Sequence, residues 1–582
     1  MNIFGISDVT GNHSHSCVAL LQDGELTFAL SQERLSRIKN DPRFPEEALE
    51  EVLTWANLKL EDIDMFACGY PPAHYYASLM SNSFWDIPRS VGGILIRRPE
   101  QLFKYLFPNI KKGLFDPKNT NGLFERGVPP EKFQFVDHHL AHVSAGYFSS
   151  DFDDALAISY GGFAPHMSGS NVAGAVYQCK GDQITFCEDI PMPAAGCWFS
   201  GITVVLGFAY MQQESKTMGL AALGDPTLCY DDIRSLITTF ENGSWQPYSH
   251  WIDYIMTPRR DAFLGTRSGQ KLRRLLDHYR PEDIAAAAQR IWEENIITFV
   301  SYLLEKYTSR SLVLSGGTFL NVQINAKLAA LESVDRIFVH PHTGDGSTTI
   351  GAMIEAHRRK TGSPPRVNIN DPGLGVEFDD DAIEKTIAIF SDRISFKKLS
   401  EPPGRYAASR IAEFKIIGWF QGREEYGHRA LGHRCILGHP KSWVIHNRIN
   451  KFVKRRETWI PIAPSCLAEY GSEYFNNFEN NPFMTRAYSI RAENKNVLPA
   501  VLHRDYTARA QSVDKYFFKP FRELLERFYE LTGFPMVLNT SFNLHNQPIV
   551  HEPAEAIQIL LDTPMDELVI GHFVVRKADE ND

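Results

Sequence analysis

The chain has 582 residues, 43% of them apolar and 22% charged, with 38 Phe, 22 Tyr and 9 Trp. That is ample core material and more length than one hydrophobic core absorbs, so disorder and a single small module are excluded and about two to four domains are expected. Lys and Arg number 60 against 70 Asp and Glu, a net charge of -10, which excludes a global positive field for nucleic acid or an anionic membrane and confines any anion site to a local basic cluster.

The opening residues, MNIFGISDVTGN, have no basic start and meet Asp8 before an apolar run of leader length. No later stretch approaches ~18 apolar residues, and the eight cysteines are scattered without a CxxC pair. A cytoplasmic protein with reduced thiols is the expectation. Residues 2–7 and 17–30 read as strands, the latter turning at Asp23-Gly24, a dipeptide that accepts the positive φ of a tight hairpin. The pattern returns at 155–160, followed by a Gly/Ser-rich turn over 161–169, a strand at 173–178, a turn at Lys180-Gly181-Asp182 and a strand at 183–189. Two copies of such a unit, each followed by mixed helices and strands, is the sequence form of a duplicated actin-like (ribonuclease H-like) α/β domain.

Apolar residues at helical spacing from Ile284 to Tyr307 predict a core helix over 281–307. Strands at 312–314 and 337–339 then open into Ser315-Gly316-Gly317-Thr318 and His342-Thr343-Gly344-Asp345-Gly346-Ser347. Two strand-to-glycine-to-helix turns suit phosphate, because bare backbone N–H groups point into one crevice, and Gly316 and Gly317 are the candidate contacts. Periodicity vanishes over 357–377, which reads as a linker. The boundary is placed near residue 365, giving domains 1–364 and 365–582. In the second, helices are expected at 378–391 and 404–414 and strands at 416–420 and 536–538.

Four constellations carry chemistry. If a helix starts near Asp137, His138 and His142 fall at i and i+4 on one face, where two neutral imidazoles can hold one metal; the alternative is an ordinary core histidine pair. Asp345, between two glycines at a strand mouth, could complete such a site or sit in a plain turn. The segment 418–434 with Lys451, Lys454, Arg455 and Arg456 threads cations with glycine, which suits a triphosphate or acyl phosphate, or else a solvated basic face. Asn539-Thr540-Ser541, with Arg509 upstream, could donate to and accept from a planar carbamoyl group, or simply form a turn.

In this order the segments VDHHLAHVSAGYF (136–148), ESKTMGLAALG (214–224), SGGTFLN (315–321), PHTGDGS (341–347), GWFQGREEYGHRALGHR (418–434) and VLNTSFN (537–543) resemble the NodU/CmcH family of O-carbamoyltransferases over nearly the whole chain. The resemblance implies an N-terminal actin-like domain and a C-terminal α/β domain that forms carbamoyl-adenylate from carbamoyl phosphate and ATP. The N-terminal domain would pass the carbamoyl group to the hydroxyl of a small natural-product acceptor. It implies His138, His142 and Asp345 as ligands of a divalent metal, iron in family members, and Arg429, Lys454, Arg509, Asn539 and Ser541 as the lining of the adenylate site, Arg429 and Lys454 neutralising phosphate charge during catalysis. His13 stands near the family's candidate general base. A homodimer is implied by the resemblance alone, and neither nucleic acid nor membrane is an expected partner.

Four positions depart from the family pattern. Gly161 replaces a metal-binding Asp, Ile460 replaces an Arg before Pro461, and His428 and His433 stand where Pro and Asn are usual. The missing acid at 161 and Arg at 460 keep open a member that binds nucleotide without turnover; a third reading is an actin-like sugar kinase releasing ADP, in which the basic C-terminal segment and Asn539-Thr540-Ser541 have no role.

Overall fold

The computed structural model describes all residues except 8–14, 70–122, 124–125, 167–170, 256–259, 368 and 579–582. The hairpin anticipated at Asp23-Gly24 forms between β2 (Cys17–Gln22) and β3 (Glu25–Ser31), with φ of 51° and 87° at the two turn residues. β1 (Asn2–Ile6) lies antiparallel to β2, and β4 (Met65–Cys68) and β5 (Phe133–Phe135) follow in parallel, giving the order β3-β2-β1-β4-β5.

The second sheet repeats this. β6 (Asp154–Pro165), β7 (Asn171–Lys180) and β8 (Gln183–Pro191) form the antiparallel meander, and after a small hairpin of β9 (Thr239–Glu241) and β10 (Ser244–Gln246), β11 (Ser311–Ser315) and β12 (Arg336–Val339) add in parallel. Its order, β8-β7-β6-β11-β12, is that of the first sheet. The N-terminal part is therefore a duplicated actin-like fold. One expectation needs correction: the stretch after Tyr160 does not leave the sheet at once, because β6 runs on to Pro165 through a register shift between Tyr160 and Ala164. The extra residues are taken up as a bulge.

The predicted long helix spans Pro281–Tyr307. Its apolar face, including Ile284, Ile291, Trp292, Ile296, Phe299, Val300 and Leu303, is buried against Leu156, Ile158, Leu312 and Leu314 of the second sheet. Full burial of each large side chain contributes about 1.5–3 kcal/mol. The duplication matters most where each half ends. The helix His138–Phe148 follows β5, and the helix Ser347–Thr361 follows β12. They cross so closely that a Cβ on Gly351 would fall 1.7 Å from the Ala141 carbonyl oxygen, so only glycine permits the approach. The two helix starts, and the residues at them, are thereby brought face to face.

The predicted linker over 357–377 is also corrected. The helix continues to Thr361, and the residues beyond form a fixed strap in which Val367, Ile369, Leu374 and Val376 are buried. Backbone bonds tie it to both parts, from Ala29 N to Leu374 O (3.0 Å) and from Glu424 N to Val376 O (2.9 Å).

The remaining strands are β13 (Ile394–Lys398), β14 (Ile417–Phe420), β15 (Arg434–Gly438), β16 (Ala463–Leu467), the short pair β17 (Tyr488–Ser489) and β18 (Thr507–Ala508), β19 (Gln511–Val513), β20 (Met536–Ser541), β21 (Glu567–Ile570) and β22 (Phe573–Lys577). All but the short pair form one mixed sheet, β13-β22-β21-β14-β15-β20-β16-β19. β20 is longer than expected and keeps Asn539, Thr540 and Ser541 within the strand, paired to β15. Arg34 spans the seam between the parts, donating to the carbonyls of Glu425 (3.2 Å) and Gly427 (2.8 Å). Among the described residues, no helix is long and apolar enough to cross a membrane.

Candidate active site

Asp137 starts the histidine helix by accepting from Leu140 N at 3.0 Å, an N-cap that leaves its carboxylate turned to the helix backbone. His138 and His142 then lie on one face, and Asp345 arrives from the loop before the other helix. The candidate ligand atoms of these three residues lie within 4.8 Å of one another. Their nitrogens are not arranged as hydrogen-bonding partners. His138 Nδ1 is 3.3 Å from the Gly69 carbonyl, which can only accept, so that nitrogen carries the proton. His142 Nδ1 is 2.8 Å from Ser347 Oγ, whose own hydrogen goes to the Gly344 carbonyl, so His142 also donates from Nδ1. Both Nε2 atoms are thereby lone-pair acceptors, yet they stand 3.2 Å apart with Asp345 Oδ1 at 3.9 and 3.7 Å. Two lone pairs and a carboxylate aimed at one point call for a cation, and two imidazoles with one carboxylate suit a divalent transition metal. The donor set therefore fits the metal implied by the sequence. Gly161 supplies no fourth ligand; a Cβ there would meet only Gly317 N, at 3.4 Å.

The second constellation has the opposite character. Lys454 is buried and donates to Ser541 O (2.6 Å), Ser541 Oγ (3.0 Å) and Asn543 Oδ1. Asn539 donates to Ala430 O (3.1 Å) and Ser465 Oγ (2.9 Å), leaving its buried Oδ1 without a hydrogen bond. Arg509 has a buried Nε in the same condition. Burial, reinforced by Arg509, pushes the Arg429 guanidinium well below its usual range; burial holds Arg509 down at about 10. Arg456 is held at about 10 by burial and by Arg509, despite Glu457 nearby. Lys454 is pushed well down by burial, Arg456 and Lys39. Among the described residues no carboxylate forms an ion pair with these four cations. Such crowding of like charge is unfavourable alone and becomes favourable around an anion.

The structure thus brings Arg429, Lys454, Arg509, Asn539 and Ser541 into one region, and His138, His142 and Asp345 into another. The turn carrying His428 and Arg429 abuts the Asp345 loop: the His342 ring lies 5.8 Å from His428 and 4.9 Å from Tyr426. Gly316, at φ 95°, bonds from its N–H to Thr343 O (2.8 Å), and its Cβ would clash with the Tyr160 carbonyl; Gly317 faces open space. His13 lies outside the described residues, whereas His15 edges onto His342 at 5.7 Å. His433 turns away from the cations to Asp371, 2.9 Å distant. Arg456 belongs to the cation segment read from the sequence, though not to the adenylate lining that the resemblance implies, and Lys39 to neither. The available signal for Arg456 was the run from Lys451 to Arg456, which holds four cations and no acid; nothing local marks Lys39.

Comparison with known proteins finds two family models along the chain. The family described as Carbamoyltransferase N-terminus matches residues 2–354, and Carbamoyltransferase C-terminus matches 408–577. The chain belongs to the carbamoyltransferase family. Nodulation protein NolNO of Sinorhizobium fredii is 30% identical over 579 residues, covering 98% of this chain and 80% of that protein. The 3'-hydroxymethylcephem-O-carbamoyltransferase of Amycolatopsis lactamdurans is 27% identical over 372 residues, 63% of this carbamoyltransferase and 66% of that one. Among solved structures, HypF of T. kodakarensis covers 63% of this chain and 49% of its own, at 11% identity and a TM-score of 0.33.

Proposed function

We propose that this carbamoyltransferase works in two stages at the two constellations, forming carbamoyl-adenylate among the cations and transferring its carbamoyl group to a hydroxyl of a small natural-product acceptor at the His/Asp triad. Carbamoyl phosphate loses phosphate to water to give carbamate. A carbamate oxygen attacks the α-phosphorus of ATP, displacing pyrophosphate and giving carbamoyl-adenylate. The acceptor hydroxyl then attacks the carbamoyl carbon, loses its proton and expels AMP. The observation that carries this reading is the group of buried Lys454 and half-buried Arg429, Arg456 and Arg509, with which no carboxylate among the described residues forms an ion pair.

Their charge offsets the repulsion between the two anionic substrates and stabilises negative charge on the α-phosphate as the oxygen attacks. The unused Asn539 Oδ1 and Arg509 Nε, both buried, offer an acceptor and a donor to the carbamoyl amide or the nucleotide. Arg456 stands close enough to Lys454 and Arg509 to supply the cation that Ile460 does not. His138, His142 and Asp345 would hold the metal, iron being the one the resemblance implies. Bound there, the metal supplies Lewis-acid polarisation of the carbonyl or of the acceptor hydroxyl. Ser347 and the Gly69 carbonyl fix the two imidazoles in the tautomer that presents Nε2, and His13 is the proposed base for the acceptor proton.

The test is AMP and pyrophosphate release from ATP by purified protein, with and without carbamoyl phosphate, and without acceptor. Carbamoyl-phosphate-dependent AMP is expected. Release of ADP would favour a kinase, and no AMP under any condition would leave a binding protein without turnover.

A further inference from the structure

His428 belongs to neither constellation and lies between them. The turn that carries it, Tyr426-Gly427-His428-Arg429, is held from two sides: Tyr426 Oη donates to Gly346 O at 2.7 Å, beside Asp345, and Arg34 donates to Gly427 O at 2.8 Å. A side chain on Gly427 would begin 3.6 Å from the Pro341 carbonyl oxygen, so the turn packs directly on the loop that delivers Asp345. Consecutive side chains of this turn meet different surroundings. Arg429 feels the charge of Arg509, in the cation cluster. The His428 ring stands edge-on to His342, 5.8 Å away with the planes 72° apart, on the triad side. Lys39 acts on His428 and on Lys454 alike, which ties the ring to the cluster by a second route.

The ring is half-buried, and among the described residues neither its nitrogens nor the His428 backbone N–H forms a hydrogen bond. Burial, then Arg429, His342, His15 and Lys39, push its pKa well below 6.5, so the imidazole is neutral, with one N–H to donate. A phosphate oxygen here would take the neighbouring cations in preference to a neutral donor. A carbonyl oxygen carries only partial charge and is suited to one, and a neutral imidazole N–H can polarise it.

We propose that His428 donates its ring N–H to the carbamoyl carbonyl oxygen of carbamoyl-adenylate while Arg429 holds the phosphate, so that the intermediate is oriented from the cation cluster toward the triad. The inference rests on the two-stage reading and adds a contact to it. Since Pro is usual at this position in the family, the contact is this chain's own addition. A ring that merely filled space against His342 would affect ligands with and without a carbamoyl group equally.

The test is equilibrium binding of two ligands to the full-length protein: sulfamoyladenosine, in which a sulfamoyl group replaces the phosphate, and its N-carbamoyl derivative, a stable stand-in for carbamoyl-adenylate. The wild-type protein should prefer the carbamoyl derivative by about tenfold or more. His428→Ala and His428→Pro should each cut that preference about tenfold and leave the affinity for sulfamoyladenosine unchanged, and His428→Gln, which keeps an N–H donor, should retain part of it. Proline at 428 removes no backbone hydrogen bond, so the second variant guards against a folding defect in the first. A preference that survives in both variants, no preference in the wild-type protein, or equal weakening of both ligands would overturn the proposal and leave the two-stage reading standing. Failure of the wild-type protein to bind either ligand would sink that reading, and the inference with it.

Discussion

The His/Asp triad and the cation cluster are incomplete in opposite senses. At the triad, two imidazole lone pairs 3.2 Å apart and a carboxylate oxygen converge on one point. At the cluster, four basic groups crowd together, Glu457 near Arg456 offsets them only in part and no carboxylate among the described residues forms an ion pair with any of them, and Arg509 Nε and Asn539 Oδ1 are buried without hydrogen bonds. Neither arrangement is one a protein would hold for stability, because each leaves like groups facing one another in a partly dry environment. The contrast with Glu424 is instructive. That acid is also buried, but it is answered by His551 at 2.8 Å and Arg34 at 3.8 Å, across the seam of the two parts. Charge balanced within a cluster is structural; charge left unbalanced states the sign of what the cluster would bind.

The largest effect should come from emptying the cluster of its most buried cation. Lys454→Ala should cut carbamoyl-phosphate-dependent AMP formation about a thousandfold, measured as AMP released per enzyme, while leaving metal binding unchanged. Retained AMP formation would remove Lys454 from the chemistry. Arg456→Ala is next. Loss of one charge-assisted bond, about 1.5–3 kcal/mol, should raise the KM for ATP roughly 10- to 100-fold. An unchanged KM would mean that Ile460 is not compensated from position 456.

At the triad, Gly161→Asp should tighten divalent metal binding by about tenfold in a calorimetric titration, since the position has room for a side chain. Unaltered affinity would show that the bulged β6 does not face the metal.

The charge-balanced cluster at Glu424 gives a smaller effect, in stability. Burial disfavours the charged His551 ring, but the Glu424 charge and hydrogen bond outweigh it and raise its pKa from the usual 6.5. Burial likewise disfavours the Glu424 charge, but His551 and Arg34 bring it down to about 2 from 4.5. The imidazole contribution is full below 6.5 and is lost as pH rises through the raised value. The carboxylate contribution is full above 4.5 and is lost as pH falls toward 2. The Tm should therefore decline on the alkaline side of 6.5, and His551→Asn should abolish that slope. A slope that persists in the variant would place its origin elsewhere.

Sequence displayed the skeleton of both regions unequally. The duplicated hairpins could be read because Asp23-Gly24 and Lys180-Gly181-Asp182 are local turn chemistry between alternating strands. The helix that carries His138 and His142 could be read for the same reason, Asp137 being its N-cap. What fixes the imidazoles could not be read, since Gly69 and Ser347 come from 69 and 205 residues away. Lys39 was hidden likewise, being close to Lys454 only through the fold. β6 was misjudged after Tyr160 because glycines that usually end a strand here form a bulge within it. The strap after Thr361 reads as a linker in sequence because its buried residues follow no helical or strand period.

The division of labour between the two constellations is tested most directly by following both half-reactions in His138→Ala with carbamoyl phosphate, ATP and an acceptor that the wild-type protein carbamoylates. AMP and pyrophosphate formation without acceptor should persist at close to the wild-type level while carbamoylated product is lost. Equal loss of both would contradict two separate sites and place the triad within the adenylating chemistry.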